Sequence, residues 1–549
     1  QLKNWRTGTF TRNETSYFAF YENPYFIVDT QREKADFNEF NVLAFADYEI
    51  TDWLTASVNL GYTGTSSSTK REFGAFGYTF DLAHVYSRID PYGARTADGL
   101  SNSSRTNTDF LLKVDKDLSE DFNVKFTAGQ NIRIQSSKAI NVSGTDLIIP
   151  NFYNVSTRTG DLVGSEGTTN YRKMGVYGDL TLGYKDFLFL SGTGRNDWSS
   201  TLPKDANSFF YYGAGLSFVA SSAIPGLVTD NGLSYLKLSL NLTKTGNDPG
   251  IYSTQGIFFA PANFPYGSTV GLSQSSQVPA PDLSPEFTES LEAGLELSLF
   301  KNRFSASITG YKTNSTDQII PVNTSLASGA SSAIINIGEV ENLGLEVGLN
   351  GTVLRSDDFK WDIGLNYTLQ KSEVISLADG VDELNIGGFT SAQIIAKVGE
   401  PYPQIRTTSY LKDSEGRVIV GANGDPIQDP INQIQGKTTP DYIVGLNTNM
   451  KYKNWTLYAV ADYRTGHVFY NSIVDAIEFT GLSKHSATAG RQAFVFPNSS
   501  YADGSGGYIA NTNRLTSGGG NAFWDSYNDV KANYVTDATT LKLREVLLS

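Results

Sequence analysis

The stretch Tyr442-Ile443-Val444-Gly445-Leu446-Asn447-Thr448-Asn449-Met450-Lys451-Tyr452-Lys453-Asn454-Trp455-Thr456-Leu457-Tyr458-Ala459-Val460-Ala461-Asp462-Tyr463-Arg464-Thr465 decides the fold. Before the Lys453-Asn454 break, Tyr442, Val444, Leu446, Thr448 and Met450 alternate with Ile443, Gly445, Asn447, Asn449 and Lys451. After it, Leu457, Ala459, Ala461 and Tyr463 alternate with Thr456, Tyr458, Val460, Asp462 and Arg464. A period of two means strands with two different faces. A tight polar turn between them means an antiparallel hairpin. The turn carries an aromatic residue on each shoulder, Tyr452 and Trp455. Rings in such places suit a membrane–water interface, where the apolar body is buried and the polar edge stays wet. The same break recurs at Tyr184-Lys185-Asp186-Phe187 and at Phe300-Lys301-Asn302-Arg303-Phe304. The pattern predicts an all-β fold, a transmembrane antiparallel β-barrel.

Working outward, the same alternation marks hairpins at Phe37–Glu49 with Trp53–Tyr62, Thr108–Leu118 with Phe122–Ile134, and Tyr171–Tyr184 with Phe187–Arg195. It marks others at Phe287–Phe300 with Phe304–Thr313 and Leu343–Leu354 with Phe359–Lys371. Phe209–Val219, Leu233–Thr245 and a run from Thr540 complete about 15 strands of about 10 residues, the length that crosses a bilayer at a tilt. The alternation also assigns faces. Trp361, Ile363, Leu365, Tyr367 and Leu369 should meet lipid, as should Leu291, Ala293, Leu295, Leu297 and Leu299. Glu292, Glu296, Asp362 and Asn366 should face the lumen, because a carboxylate in lipid costs several kcal/mol. Trp53, Tyr184, Phe187, Phe300, Phe304, Tyr452 and Trp455, all beside short turns, should form one aromatic girdle at the periplasmic interface.

Composition agrees. Charged residues are 18% of the chain, against about a quarter in soluble proteins, and aromatics are 12%. Mean hydropathy is −0.26, as expected when only alternate strand residues meet lipid. Cysteine is absent, which removes thiol chemistry and Cys-based zinc sites. His84, His467 and His485 are scattered, and no metal or cofactor is expected. A net charge of −14 argues against nucleic acid as a partner.

Connections alternate in length. Opposite the short turns lie polar, Gly/Ser/Asn-rich segments at Thr63–Asn107, Gln135–Asn170, Gly246–Glu286, Ser372–Pro440 and Gly466–Asp537. In barrels of this kind the long loops face outward from the cell and the short turns face the periplasm. Loops this long usually bind, plug or dock. Trp198, Tyr266, Phe389, Phe523, Trp524 and Tyr527 are loop aromatics that could stack on sugar rings or pack the loops together. Arg195-Asn196-Asp197 reads as a structural lumenal ion pair, since same-face charges in a lumen need partners. Asn423-Gly424-Asp425, with Gly416 upstream, reads as a hairpin turn within the long segment Ser372–Pro440 rather than a calcium loop. Glu292/Glu296 and Asp115/Asp117 are spaced as glycosidase carboxylates could be, but they equally fit a polar lumen face. No hydrolase, nucleotide or zinc-protease motif occurs. The chain is not expected to be an enzyme.

Several stretches together resemble the SusC-like TonB-dependent transporters of Bacteroidetes-type outer membranes. They are Tyr171-Arg172-Lys173-Met174-Gly175-Val176-Tyr177-Gly178-Asp179; Ser191-Gly192-Thr193-Gly194-Arg195-Asn196-Asp197-Trp198-Ser199-Ser200-Thr201-Leu202-Pro203; Leu236-Lys237-Leu238 with Lys244-Thr245-Gly246-Asn247-Asp248; Pro285 to Gly294; Asn342 to Glu346; Thr439 to Tyr442; and Ala538 to Arg544. The resemblance runs from about Phe37 to the end. It implies part of a 22-stranded barrel, with residues 1–549 forming one outer-membrane domain that lacks the family's plug and its last strands. It further implies import of oligosaccharides or peptides, a SusD-like surface lipoprotein as lid, TonB acting through the plug, and outer-membrane lipid around the barrel. The alternative is a SusC-like barrel acting as a structural or docking subunit of a larger outer-membrane complex.

Overall fold

The computed structural model describes residues 24–76, 92–149, 151–261, 264 and 266–549. Fifteen strands, each paired antiparallel to the next in chain order, make one sheet. They are β1 (Gln31–Thr51), β2 (Leu54–Phe73), β3 (Arg95–Asp117), β4 (Phe122–Gly144), β5 (Val163–Tyr184), β6 (Leu188–Ser199), β7 (Ser208–Val219) and β8 (Leu233–Asn247). The series continues with β9 (Glu286–Leu299), β10 (Phe304–Thr316), β11 (Glu339–Arg355), β12 (Phe359–Ser376), β13 (Tyr442–Tyr452), β14 (Trp455–Thr465) and β15 (Thr540–Leu548). β1 and β15 are the two edges of the sheet.

Turn chemistry sets the hairpins. Lys185 and Asp186 both have positive φ, 48° and 54°, so the β5–β6 turn twists with its strands rather than against them. Phe300, Lys301 and Asn302 take the same left-handed conformation between β9 and β10.

Register carries each face across the sheet. Leu190, Leu216, Leu240, Ala293, Gly310, Leu345, Leu369 and Tyr442 stand directly opposite one another in turn. This apolar face is left bare, with Leu190 52% and Leu240 49% exposed. A bare apolar surface of this extent fits lipid rather than water as its neighbour. The opposite face runs Lys237, Glu296, Ser307, Gly348, Asn366, Gly445, Asp462, Lys542. Loop residues meet this polar face at Asp248 and beside Arg464 and Lys542, as expected for the inner wall.

Two departures from the sequence reading concern strand length. Thr63–Asn107 and Gln135–Asn170 were expected to be loops. Instead β2 to β5 run on as paired strands, to Phe73, from Arg95, to Gly144 and from Val163. These Ser/Thr/Asn-rich extensions have no apolar face to betray them, yet their backbone ladder is complete, and ladder bonds need no apolar side chains.

The long connections are also structured. Between β12 and β13, a four-stranded sheet forms from Glu383–Phe389, Ala392–Lys397, Gln404–Thr407 and Gln433–Lys437. Val418–Ile419 pairs in parallel with Ser499–Ala502, which lies between β14 and β15. The two connections therefore share a core of Val418, Val420, Phe496, Leu515, Phe523 and Trp524. Asn423-Gly424-Asp425 is a turn within this unit, as expected. Gly424 has φ +79°, and a Cβ there would come 2.7 Å from the Arg514 carbonyl, so only glycine fits.

Candidate functional site

The inner wall is densest where three separate stretches meet at the loop end of β5, β6 and β8. Each strand places alternate residues inward, so Lys173, Arg195, Asp197 and Tyr211 converge from neighbouring strands. Asp248 joins from the first residue after β8. Lys173 Nζ lies 2.9 Å from Asp248 Oδ1 and 3.3 Å from Asp197 Oδ2. Arg195 Nε donates to Asp197 Oδ1 at 2.7 Å, and the Tyr211 hydroxyl donates to Asp197 Oδ2 at 2.8 Å. Tyr171 and Thr201 hydroxyls donate to Asp248 Oδ2 at 3.1 and 3.0 Å, and Ser199 adds a further bond. The Asp197 side chain is 1% exposed and that of Asp248 7%. Burial alone would raise the Asp248 carboxyl. The hydrogen bonds from Ser199 and Lys173 outweigh it and hold the group below the usual carboxylate range. Lys173 also lies 5.0 Å from the centre of the Phe209 ring, which meets Phe287 edge-on.

Two cations and two carboxylates balance here, with almost every acceptor position used. The cluster therefore has no spare group for acid–base chemistry. It fixes the start of the connection 248–285 to the wall, and Tyr252 in that connection reaches back to the Thr168 carbonyl at 3.4 Å. The structural ion pair expected at Arg195 and Asp197 is present. Sequence reasoning missed Lys173, Asp248, Tyr171 and Tyr211. The only available signal was that Tyr171 and Lys173 share one stretch of the resemblance and Asp248 ends another, while Tyr211 lies in none.

Register places Glu292, Glu296, Asp362 and Asn366 on the same face as Asp197. They are spread along the wall rather than gathered. Glu296 pairs with Lys237 at 3.0 Å, Asp362 with Lys360 at 2.8 Å and with the Thr352 hydroxyl at 2.7 Å, and Glu292 accepts from Ser290 at 3.0 Å. Asp115 is held by Lys125 at 3.2 Å.

Trp53, Tyr184, Phe187, Phe300, Phe304, Tyr452 and Trp455, expected to form the girdle, all lie at the short-turn end. Phe122, Tyr184, Phe187 and Phe218 form a run of ring contacts there, with centroids 4.8, 5.4 and 6.0 Å apart. Trp198 is not a loop aromatic: β6 continues to Ser199, and alternation turns Trp198 outward, opposite Met174. Phe523 and Trp524 are buried in the loop core, whereas Tyr266 and Phe389 are exposed. His485 donates to or accepts from Glu478 at 2.8 Å; His84 lies outside the described residues.

With this geometry in place, comparison with known proteins is decisive. The family described as "TonB dependent receptor-like, beta-barrel" matches residues 2–544. The chain belongs to that family. It is a family of outer-membrane receptor and transporter barrels, not of enzymes. "TonB-dependent receptor P3" of Formosa agariphila is 25% identical over 485 residues, 82% of this chain and 46% of that protein. "TonB-dependent receptor SusC" of Bacteroides thetaiotaomicron is 26% identical over 268 residues, 45% of this chain and 25% of that protein. The chain thus spans less than half the length of these curated relatives. The solved RagAB peptide transporter superposes with a TM-score of 0.77 over 96% of this chain and 56% of its own, at 18% identity, which shows a common fold.

Proposed function

We propose that this chain is the barrel wall of a TonB-dependent importer that carries oligosaccharides or peptides across a bacterial outer membrane. A SusD-like lipoprotein would cap the outer mouth, and TonB would act through a plug within the lumen. The observation that carries the reading is the closed-down polar face. The four-stranded loop sheet meets that face beside Arg464 and Lys542, while the other face is bare and apolar. The family membership and the SusC relative support it, and the RagAB likeness supports peptide as one substrate class. The wall residues bind and guide and perform no covalent chemistry. The test is purification of the full-length transporter from its own membrane, identification of co-purifying chains, and uptake of labelled oligosaccharide and peptide by cells with and without it. A lipoprotein partner and gene-dependent uptake are expected. A stable complex with other outer-membrane proteins and no uptake would favour a docking subunit instead.

A further inference from the structure

Where the four-stranded loop sheet meets the inner wall, it leaves a cavity of about 460 Å³. The wall side is cationic. Arg464 and Lys542 line it, on the same face as Asp462 and Asn366 by register. Asp462 is the carboxylate there, and it is already shared between Arg464, at 3.1 Å, and Arg544. Arg464 spends its Nε on this bond, leaving the terminal nitrogens of its guanidinium unspent, and Lys542 makes no ion pair among the described residues. His467 also lines the cavity, and its buried Nδ1 has no hydrogen-bond partner. Thr438 and Thr540 also line the cavity. No Asp or Glu is among the lining residues. The loop side is apolar: the exposed Phe389 ring is set by an edge-on contact with Tyr470, centroids 5.8 Å apart, and the buried Ile405 lines the same side. A concave apolar pocket with a few convergent polar groups is the usual form of a ligand site. Three cations, Arg464, Lys542 and Arg544, face the single carboxylate of Asp462, and that excess gives the site a positive sign on a chain of net charge −14.

We propose that this cavity binds a carboxylate carried by the transported ligand, with the adjoining ring or aliphatic part of the ligand against Phe389. This rests on the reading of the inner wall as a transport path. The carboxylate accepts charge-assisted hydrogen bonds from Lys542 Nζ and from the unspent guanidinium nitrogens of Arg464, which are the stronger kind. Acidic peptides and uronate-bearing oligosaccharides share this chemistry.

Equilibrium binding to the purified full-length barrel, without lipoprotein or TonB, tests it with four probes: a glutamate-rich peptide, its glutamine counterpart, a uronate oligosaccharide and its reduced neutral counterpart. One charged probe should bind about tenfold more tightly than its neutral twin, as the loss of a charged hydrogen bond implies. Lys542→Gln and Arg464→Gln should each weaken it by about the same factor. Both side chains are solvent-accessible, and heat-modifiable mobility on gels checks that each variant still folds. Preference for the peptide or for the sugar names the source. Equal binding of charged and neutral probes, no binding of either charged probe, or full affinity in both variants would overturn the assignment. A barrel that binds the carboxylate yet never imports it would fail only the transport reading. An importer indifferent to the carboxylate would fail only this one.

Discussion

Lys173 Nζ sits 2.9 Å from Asp248 Oδ1, joining residues 75 apart in sequence. Removing one partner of a buried pair leaves the other charge without compensation, which costs more than removing both. Lys173→Met should therefore destabilise the barrel by about 3 kcal/mol, at the low end for such a change because hydroxyl donors to Asp248 remain. Lys173→Met combined with Asp248→Asn should recover part of that loss. The midpoint of the heat-modifiable gel transition measures both. A double variant no better than the single one would mean that the contact matters only through shape.

The two faces differ in what they tolerate. Leu365 stands between Leu349 and Leu446 on the apolar face, and its neighbour Asn366 between Gly348 and Gly445 on the polar one. Leu365→Arg should cost about 2–4 kcal/mol at mid-membrane depth. Asn366→Arg points into the lumen beside two glycines and should cost far less. Unfolding midpoints in lipid vesicles separate the two. Equal shifts would contradict the assignment of lipid to the apolar face.

Those two residues also show how much of the fold was legible. The faces of β12 could be read from alternation alone, because a one-residue slip would put every side chain on the wrong side. The tops of β2 to β5 could not, since residues such as Ser66, Ser67 and Ser68 are equally at home on either face. Trp198 was misread for a related reason. A polar Arg195-Asn196-Asp197 run looked like the end of a strand, although its charges are satisfied inside the wall. The loop unit was invisible because Val418 and Trp524, which share its core, lie in different connections and neither has a periodic neighbourhood. The same holds for the cavity beside Lys542, which exists only once β15 has returned to pair with β14.

Acid should loosen the loop unit. The Asp413 side chain is 1% exposed, and burial alone would raise its carboxyl. Hydrogen bonds from Ser500 at 2.7 Å, the Arg417 side chain at 2.8 Å and the backbone N–H groups of Arg417 and Glu415 bring it down to about 2. A carboxyl lowered on folding contributes stability that is complete above its ordinary value near 3.8 and is lost as pH falls through about 2. Because Ser500 belongs to the other connection, the loss unlinks the two. Limited acid proteolysis should show cleavage between 411 and 427 rising from about pH 4 to pH 2 in the native chain. In Asp413→Asn the cleavage should already be high at neutral pH and change little with acid. A native chain whose cleavage is flat across that range would remove Asp413 from this role.

The connection Gly466–Asp537 is the natural piece to remove in a search for the lipoprotein dock, and its ends permit it. The Thr465 and Thr539 hydroxyls are 2.9 Å apart, and β14 and β15 pair right up to Arg464 and Thr540, so a short linker restores the hairpin at little entropic cost. The strands should remain folded. The other connection should not survive unchanged, because the deletion strips Phe496, Leu515, Phe523 and Trp524 from Val418 and Val420. Loss of lipoprotein from the deletion variant would then have two causes that a pull-down alone does not separate. Trp524→Ala separates them. Trp524 is 6% exposed, and its indole N–H donates to the Gly519 carbonyl at 3.1 Å, so it supports the unit from within and offers no surface to a partner. Truncating a buried Trp should cost about 3–5 kcal/mol, enough to melt a small core while the barrel stays intact. If the lipoprotein docks on the folded unit, Trp524→Ala and the deletion should release it alike, and the exposed-face change Ile473→Ser, on a residue 70% exposed, should weaken it only if that face is part of the dock. Full recovery of the lipoprotein with Trp524→Ala and with the deletion would place the dock elsewhere on the mouth, with the connection 248–285 pinned by Asp248 as the next segment to test.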